Sequence, residues 1–248
     1  MNERFVQLDR GDGTRVTARI RAGKGPNLIL VPGTWGNMDT RGPLMERLDP
    51  ELNIVNVALP GQDDNWPPPK DPSIPAFTAD VLRLADHLGL ERFFVGGNSL
   101  GGMISIDMIR LAEQRLLGVI TLEGWTHWSA LYDAFGDNTE VTLNPQQSAF
   151  LQEVRRKLLD RWDPGMRSRY ATMWREWDGS EILRNCTVPL LSIWGDRGKP
   201  RPARDKLKVP VKPNIEFLWV ANASHNLLVE APEIVADAMN AFIRRHNA

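Results

Sequence analysis

The stretch Gly97-Asn98-Ser99-Leu100-Gly101 sets one serine between glycines that stand two residues away on each side. A short apolar run, Phe93, Phe94 and Val95, leads into it. Behind it Met103, Ile104, Ile106, Met108, Ile109, Leu111 and Ala112 recur at helical spacing. A tight strand-to-helix turn needs neighbours without side chains, because Cβ atoms there collide with the adjoining strand and helix. Such a turn pushes the Ser99 hydroxyl out beyond the end of its strand. A helix starting just behind presents free N–H groups to developing negative charge. The chemistry on offer is nucleophilic attack by a serine oxygen, provided a base takes its proton.

The elements that must hold this serine follow from the hydrophobic pattern. Phe5–Leu8 and Arg15–Ile20 read as two strands joined through the turn-rich stretch from Asp9 to Gly13. Asn27–Val31, Asn53–Leu59, Gly118–Leu122, Pro189–Trp194 and Ile215–Val220 are short continuous apolar runs, the pattern of strands covered on both faces. Helix-period segments lie between them, at about Arg41–Leu48 and at Ala76–Leu88, and Glu233–His246 closes the chain. The alternation is that of an α/β fold with a mostly parallel sheet and helices on both faces. It breaks between Trp125 and Asn185, where Gln146–Trp162 and Gly165–Trp177 are helical and no strand signal occurs. A structureless loop of that length is improbable, so residues 125–185 are expected to form a helical cap inserted in a core of residues 1–124 and 186–248. The chain has nine tryptophans against two tyrosines. Trp125, Trp128, Trp162, Trp174 and Trp177 fall in this segment, to line a cleft or to pin the cap by packing.

Composition excludes several function classes. Apolar residues make up 42% and charged residues 25% of the 248 positions, ordinary for a globular protein. A net charge of −1 gives no reason to expect nucleic acid or an anionic membrane as partner. No apolar run approaches membrane-spanning length, and the polar start Met1–Gln7 lacks the apolar stretch of a secretory leader. The single cysteine, Cys186, excludes an internal disulfide framework and suits a reducing compartment, so a cytoplasmic location is expected. No Cys/His spacing suggests a metal, and no metal or organic cofactor is expected.

Four motifs in order, Pro32-Gly33-Thr34-Trp35, Leu59-Pro60-Gly61, the Ser99 elbow and Ser224-His225-Asn226, make the chain resemble the α/β-hydrolase family over essentially its whole length. The resemblance implies the α/β-hydrolase fold and a catalytic Ser99. It implies His225 as the base, since that residue sits between the last strand and the last helix. Of the other histidines, His87 falls in a helix, His246 in the frayed terminus and His127 just past a strand end. The resemblance also implies an oxyanion hole made by the N–H groups of Leu100 and Thr34. The family's usual His-Gly in that loop is Pro32-Gly33 here; the glycine required by the backbone path is kept.

The acid that orients the histidine is where the chain departs from the family pattern. The usual Gly-x-x-Asp after the post-cap strand is Gly195-Asp196-Arg197-Gly198, which puts glycine at the expected position. Glu123 ends the preceding strand, where some family members carry the acid. A carboxylate at the end of an apolar strand is costly without a partner, and His225 would be one. The reading therefore favours Glu123, with Asp196 as the alternative acid. Otherwise Asp196 is a turn cap, and Glu123 a salt-bridge partner of Arg155 or Arg175.

The function expected is a serine hydrolase of a carboxylic ester or lactone with a hydrophobic acyl or ring portion. Gly33, Trp35, Trp125, His127 and Trp128 follow strands whose C-terminal ends frame the site, so they are the expected substrate contacts. The alternatives are a C–C bond hydrolase of a diketone-like substrate, using the same residues, and a non-catalytic ligand receptor on the same fold. The partner expected is a small-molecule substrate, and a homodimer is left open.

Overall fold

The computed structural model describes residues 3–136 and 142–247. Eight strands form one sheet: β1 (Glu3–Asp9), β2 (Arg15–Arg21), β3 (Asn27–Val31), β4 (Asn53–Ala58), β5 (Phe93–Asn98), β6 (Leu116–Leu122), β7 (Leu190–Gly195) and β8 (Ile215–Val220). Their spatial order is β1-β2-β4-β3-β5-β6-β7-β8. β1 and β2 form an antiparallel hairpin, β2 pairs antiparallel with β4, and every further pairing is parallel.

Period-two alternation divides the core between the two faces. In β3, Ile29 and Val31 face one side, Leu28 and Leu30 the other; β5 divides Phe93 and Val95 from Phe94 in the same way. The first face is covered by α2 (Ile74–His87) and α3 (Leu100–Ala112), through Phe77, Val81, Leu84, Met103, Ile104 and Met108. The second is covered by α1 (Gly42–Met45) and the last helix, through Leu44, Val235, Met239 and Phe242. Burying each such aliphatic or aromatic side chain contributes about 1.5–3 kcal/mol. The central strands β3, β5 and β6 are thus largely apolar because neither face meets water.

Between β6 and β7 the chain passes through α4 (Ser129–Phe135), α5 (Pro145–Leu159), α6 (Pro164–Glu176) and α7 (Ser180–Asn185). α8 (Leu227–Glu230) and α9 (Pro232–His246) follow β8. Asn144 starts α5 with a reciprocal capping box to Gln147, and Asp163 caps α6, each ahead of a proline in the first turn. Helices α5 and α6 are fastened to the loop after β4. Trp162 Nε1 donates to Gly61 O at 3.1 Å and Tyr170 OH to Pro60 O at 3.2 Å, while the Trp162 and Tyr170 rings meet edge to face. Trp162 therefore serves packing, as does Trp177, which is half-buried against the core. His246 is not frayed: it ends α9, packs on Phe242 and reaches Glu216. Among the described residues no helix is long and apolar enough to cross a membrane.

Candidate active site

Ser99 occupies the turn between β5 and α3 with φ 56° and ψ −119°, a conformation that L-residues rarely adopt. Close packing imposes it. A Cβ on Gly97 would stand 2.6 Å from Val31 O, and one on Gly101 2.2 Å from the same atom. The turn is also tied down, since Ser99 N–H donates to Leu122 O at 3.0 Å and Ser99 O accepts from Gly102 and Met103. Leu100 opens α3 with its side chain buried. Its N–H belongs to the first helical turn, which has no partner within the helix.

The loop after β3 passes directly over this turn. A Cβ on Gly33 would lie 3.4 Å from Ser99 Cβ and 3.1 Å from Asn98 Oδ1. Gln62 Nε2 donates to Gly33 O at 2.8 Å and to Thr34 O at 3.2 Å. In a trans peptide the C=O and N–H point in opposite directions. Gln62, by holding the Gly33 carbonyl, therefore aims the Thr34 N–H away from itself. No turn or cap hydrogen bond among the described residues uses the N–H of Thr34 or Leu100.

β6 stops at Leu122, and Glu123 follows with φ 49° and no solvent exposure. Every direction around its carboxylate is occupied by a donor. His225 Nδ1 lies 3.0 Å from Oε2, Gly195 N–H donates to Oε1 at 2.9 Å, and Arg197 reaches both oxygens at 2.6 Å each. Burial alone would raise the pKa of Glu123; the hydrogen bonds from His225 and Arg197 and the guanidinium charge outweigh it and hold the group below its ordinary value. The guanidinium that pairs with Glu123 is that of Arg197, not that of Arg155 or Arg175. It also lies over the Phe135 ring, 3.7 Å from the centroid, so α4 covers the pair.

Asp196 is oriented elsewhere. Its Oδ1 accepts from Gly198 N–H at 2.9 Å and Asn222 N–H at 2.8 Å, and Oδ2 pairs with Arg201. It closes the turn between β7 and the loop that carries His225. Asn98, not singled out from sequence, bridges the halves of the site: Nδ2 donates to Leu122 O at 3.1 Å and to His225 O at 3.0 Å. An asparagine between glycine and serine carries no signal of its own, and only the fold brings the two carbonyls to it.

Ser99 and His225 share the wall of a cavity of about 600 Å³. Gly33, Thr34, Trp35, Trp125 and Trp128 line it as well. Trp125 lies tilted beside the His225 ring, with centroids 5.8 Å apart. His127 is not among the lining residues; its Nδ1 is engaged by Ser129 at the start of α4. The inserted helices contribute Leu131, Tyr132, Arg155, Trp174 and Arg175 to the wall. Arg41, not singled out from sequence, lines the cavity as well. Cys186 is buried away from the cavity and bonded to Val188 O.

Known proteins resemble this chain in sequence or in structure. The dihydrolipoyllysine-residue acetyltransferase component of the acetoin cleaving system of Pseudomonas putida is 26% identical over 90% of this chain, which spans 64% of that relative's length. A thermophilic esterase from Thermogutta terrifontis superposes with a TM-score of 0.78 at 19% identity, covering 100% of both chains. The enol-lactonase of Burkholderia xenovorans LB400 superposes with a TM-score of 0.76 at 17% identity, over 94% of this chain and 98% of its own. The model of the alpha/beta hydrolase family matches residues 28–238, a span that begins in β3 and ends in α9 and takes in the elbow, Glu123 and His225. The chain belongs to the alpha/beta hydrolase family.

Proposed function

We propose that the protein hydrolyses a carboxylic ester or lactone through an acyl-enzyme on Ser99. The observation that carries this reading is the 3.0 Å contact of His225 Nδ1 with the buried Glu123, on a histidine that shares its cavity with a serine in an elbow conformation. With Nδ1 held by the carboxylate, the other ring nitrogen of His225 is the one left to take the Ser99 proton. Ser99 Oγ then attacks the acyl carbon, and the carbonyl oxygen becomes an oxyanion held by the N–H groups of Thr34 and Leu100. Losing one such donor typically costs about a hundred- to a thousandfold in rate. As the intermediate collapses, the alkoxide leaves with the proton from His225. Water, deprotonated by the same histidine, releases the acid and restores Ser99.

Glu123 acts as the positioning acid in this scheme, and Asp196 as a turn cap. Residues 125–185 act as a cap over the cavity, and their tryptophans favour a hydrophobic acyl or ring portion. The likeness to an esterase and an enol-lactonase supports this reading through the shared fold. A panel of esters and lactones incubated with wild type and with Ser99→Ala tests it. Turnover by wild type that Ser99→Ala abolishes is the expected result. No turnover by wild type, or equal turnover by the variant, contradicts it.

A further inference from the structure

The cavity wall carries positive charge. Arg41, Arg155 and Arg175 line it, and no aspartate or glutamate is among its described lining residues. Glu123 stands behind His225 with both oxygens already taken. Four buried N–H groups of lining residues have no partner among the described residues: Arg41 Nη1, Arg155 Nε, Trp125 Nε1 and Trp174 Nε1. These four are closed off even from a water-sized molecule, so they do not open onto the cavity; it is the charge of the three lining arginines, with no carboxylate among the described lining residues, that calls for an anionic occupant.

Buried Arg41 and half-buried Arg155 are both fixed in place. Arg41 is 2% exposed, with Nε on Asn56 Oδ1 at 2.5 Å and Nη2 on Val57 O. Asp63 supplies a partial countercharge to it, but one Asp63 oxygen accepts from Met38 N–H. Arg155 enters from α5 and donates through Nη2 to Asn226 Oδ1 at 2.9 Å, which sets it beside the residue that follows His225. No carboxylate pairs with Arg155 among the described residues, and burial lowers its pKa. An anion in the cavity would reverse that penalty.

We propose that the cavity selects substrates that carry a carboxylate in addition to the scissile ester or lactone, with Arg155 as the anchor and the charge of Arg41 and Arg175 in support. The inference rests on the hydrolase reading only for the word substrate; the binding of a carboxylate stands without it. The apolar wall of Trp35, Trp128 and Leu131 then receives the rest of the molecule, so the class is an amphiphilic acid rather than a neutral ester.

Binding is measured by calorimetry on Ser99→Ala, with phenylacetate and phenylacetamide as an isosteric charged and neutral pair. Phenylacetate is expected to bind at least about tenfold more tightly, and its affinity to fall as salt rises. Arg155→Gln is expected to bring the two affinities together, and Arg155→Lys to keep part of the difference. Equal affinities, or no binding of phenylacetate, overturn the proposal. An unchanged preference in Arg155→Gln overturns Arg155 as the anchor. If Arg155→Gln does not fold, the ligand pair on Ser99→Ala alone decides. Ester turnover without charge preference contradicts this inference only, and charge preference without turnover contradicts the hydrolase reading only.

Discussion

Arg197 holds both oxygens of Glu123 at 2.6 Å, with neither side chain exposed by more than 1%. The pair links two strands, since Glu123 ends β6 and Arg197 follows β7, 74 residues later. A fork of this kind fixes the carboxylate plane as well as its charge. It leaves Oε2 shared between the guanidinium and His225. Removing one partner of a buried pair typically costs about 3–5 kcal/mol, because the other charge stays buried. Arg197→Gln should lower the thermal midpoint accordingly. It should also reduce kcat by roughly ten- to a hundredfold, as for other side chains that orient a reacting group through a hydrogen bond. Arg197→Lys should recover part of the stability and less of the rate, since an ammonium cannot form the fork. Thermal melts and steady-state kinetics on the folded variants check both.

In the proposed scheme the two carboxylates near the site have separable roles. Glu123→Gln keeps the shape but removes the charge that stabilises the imidazolium, and it can favour the wrong tautomer; a loss on the order of ten-thousandfold in kcat follows. Asp196→Asn keeps Oδ1 as acceptor for the Gly198 and Asn222 N–H groups and loses the Oδ2 pairing with Arg201; it should cost about 0.2–1 kcal/mol of stability, with kcat within a few-fold of wild type. Kinetics of the two variants on one ester decide. Abolished turnover in Asp196→Asn with full turnover in Glu123→Gln would reverse the assignment.

Acid stability should report the same group. Glu123 is held below its ordinary value of 4.5 in the fold. A depressed folded pKa contributes stability that is fully present above the unfolded value and is lost as pH falls through the folded one. The thermal midpoint of wild type should therefore drop more steeply below pH 4.5 than that of Glu123→Gln. Asp196 is also depressed, but it is present in both proteins and cancels. Parallel curves for the two proteins would contradict the ion-pair account.

Asn98 and Gln62 should affect rate through geometry alone. Asn98→Ala removes the donor to Leu122 O and His225 O, and Gln62→Ala frees the Gly33 and Thr34 carbonyls. Each loses about 1–3 kcal/mol of stability, with kcat falling more than KM rises. A change in KM alone would place either residue in binding rather than positioning.

Much of the fold was legible because it is dictated by simple periodicity. Runs such as Leu28–Val31 and Phe93–Val95 admit little but a buried strand, and the glycines around Ser99 admit little but a tight turn. Glu123 stood out because an acid at the end of an apolar strand needs a partner. That the partner would be Arg197 was not legible. Reaching Glu123 depends on the turn after β7, where Arg197 itself takes φ 56°, and on β6 and β7 lying side by side. Asn98, Gln62 and Arg41 were missed for a related reason: each meets its site partners only across crossovers. The Trp-rich segment could not be divided from sequence into Trp128 and Trp174 on the cavity and Trp162 in the core, since all are aromatic and helix-borne or nearly so.

The central claim is that Ser99 is a nucleophile activated by His225. Intact-mass measurement after treatment with a fluorophosphonate tests it most directly, because the probe reacts with an activated serine whatever the natural substrate. The account predicts one adduct per chain, mapped to Ser99, absent from Ser99→Ala and strongly slowed in His225→Ala. An unmodified wild-type protein, or an adduct at another residue, would contradict it and favour a ligand receptor on this fold.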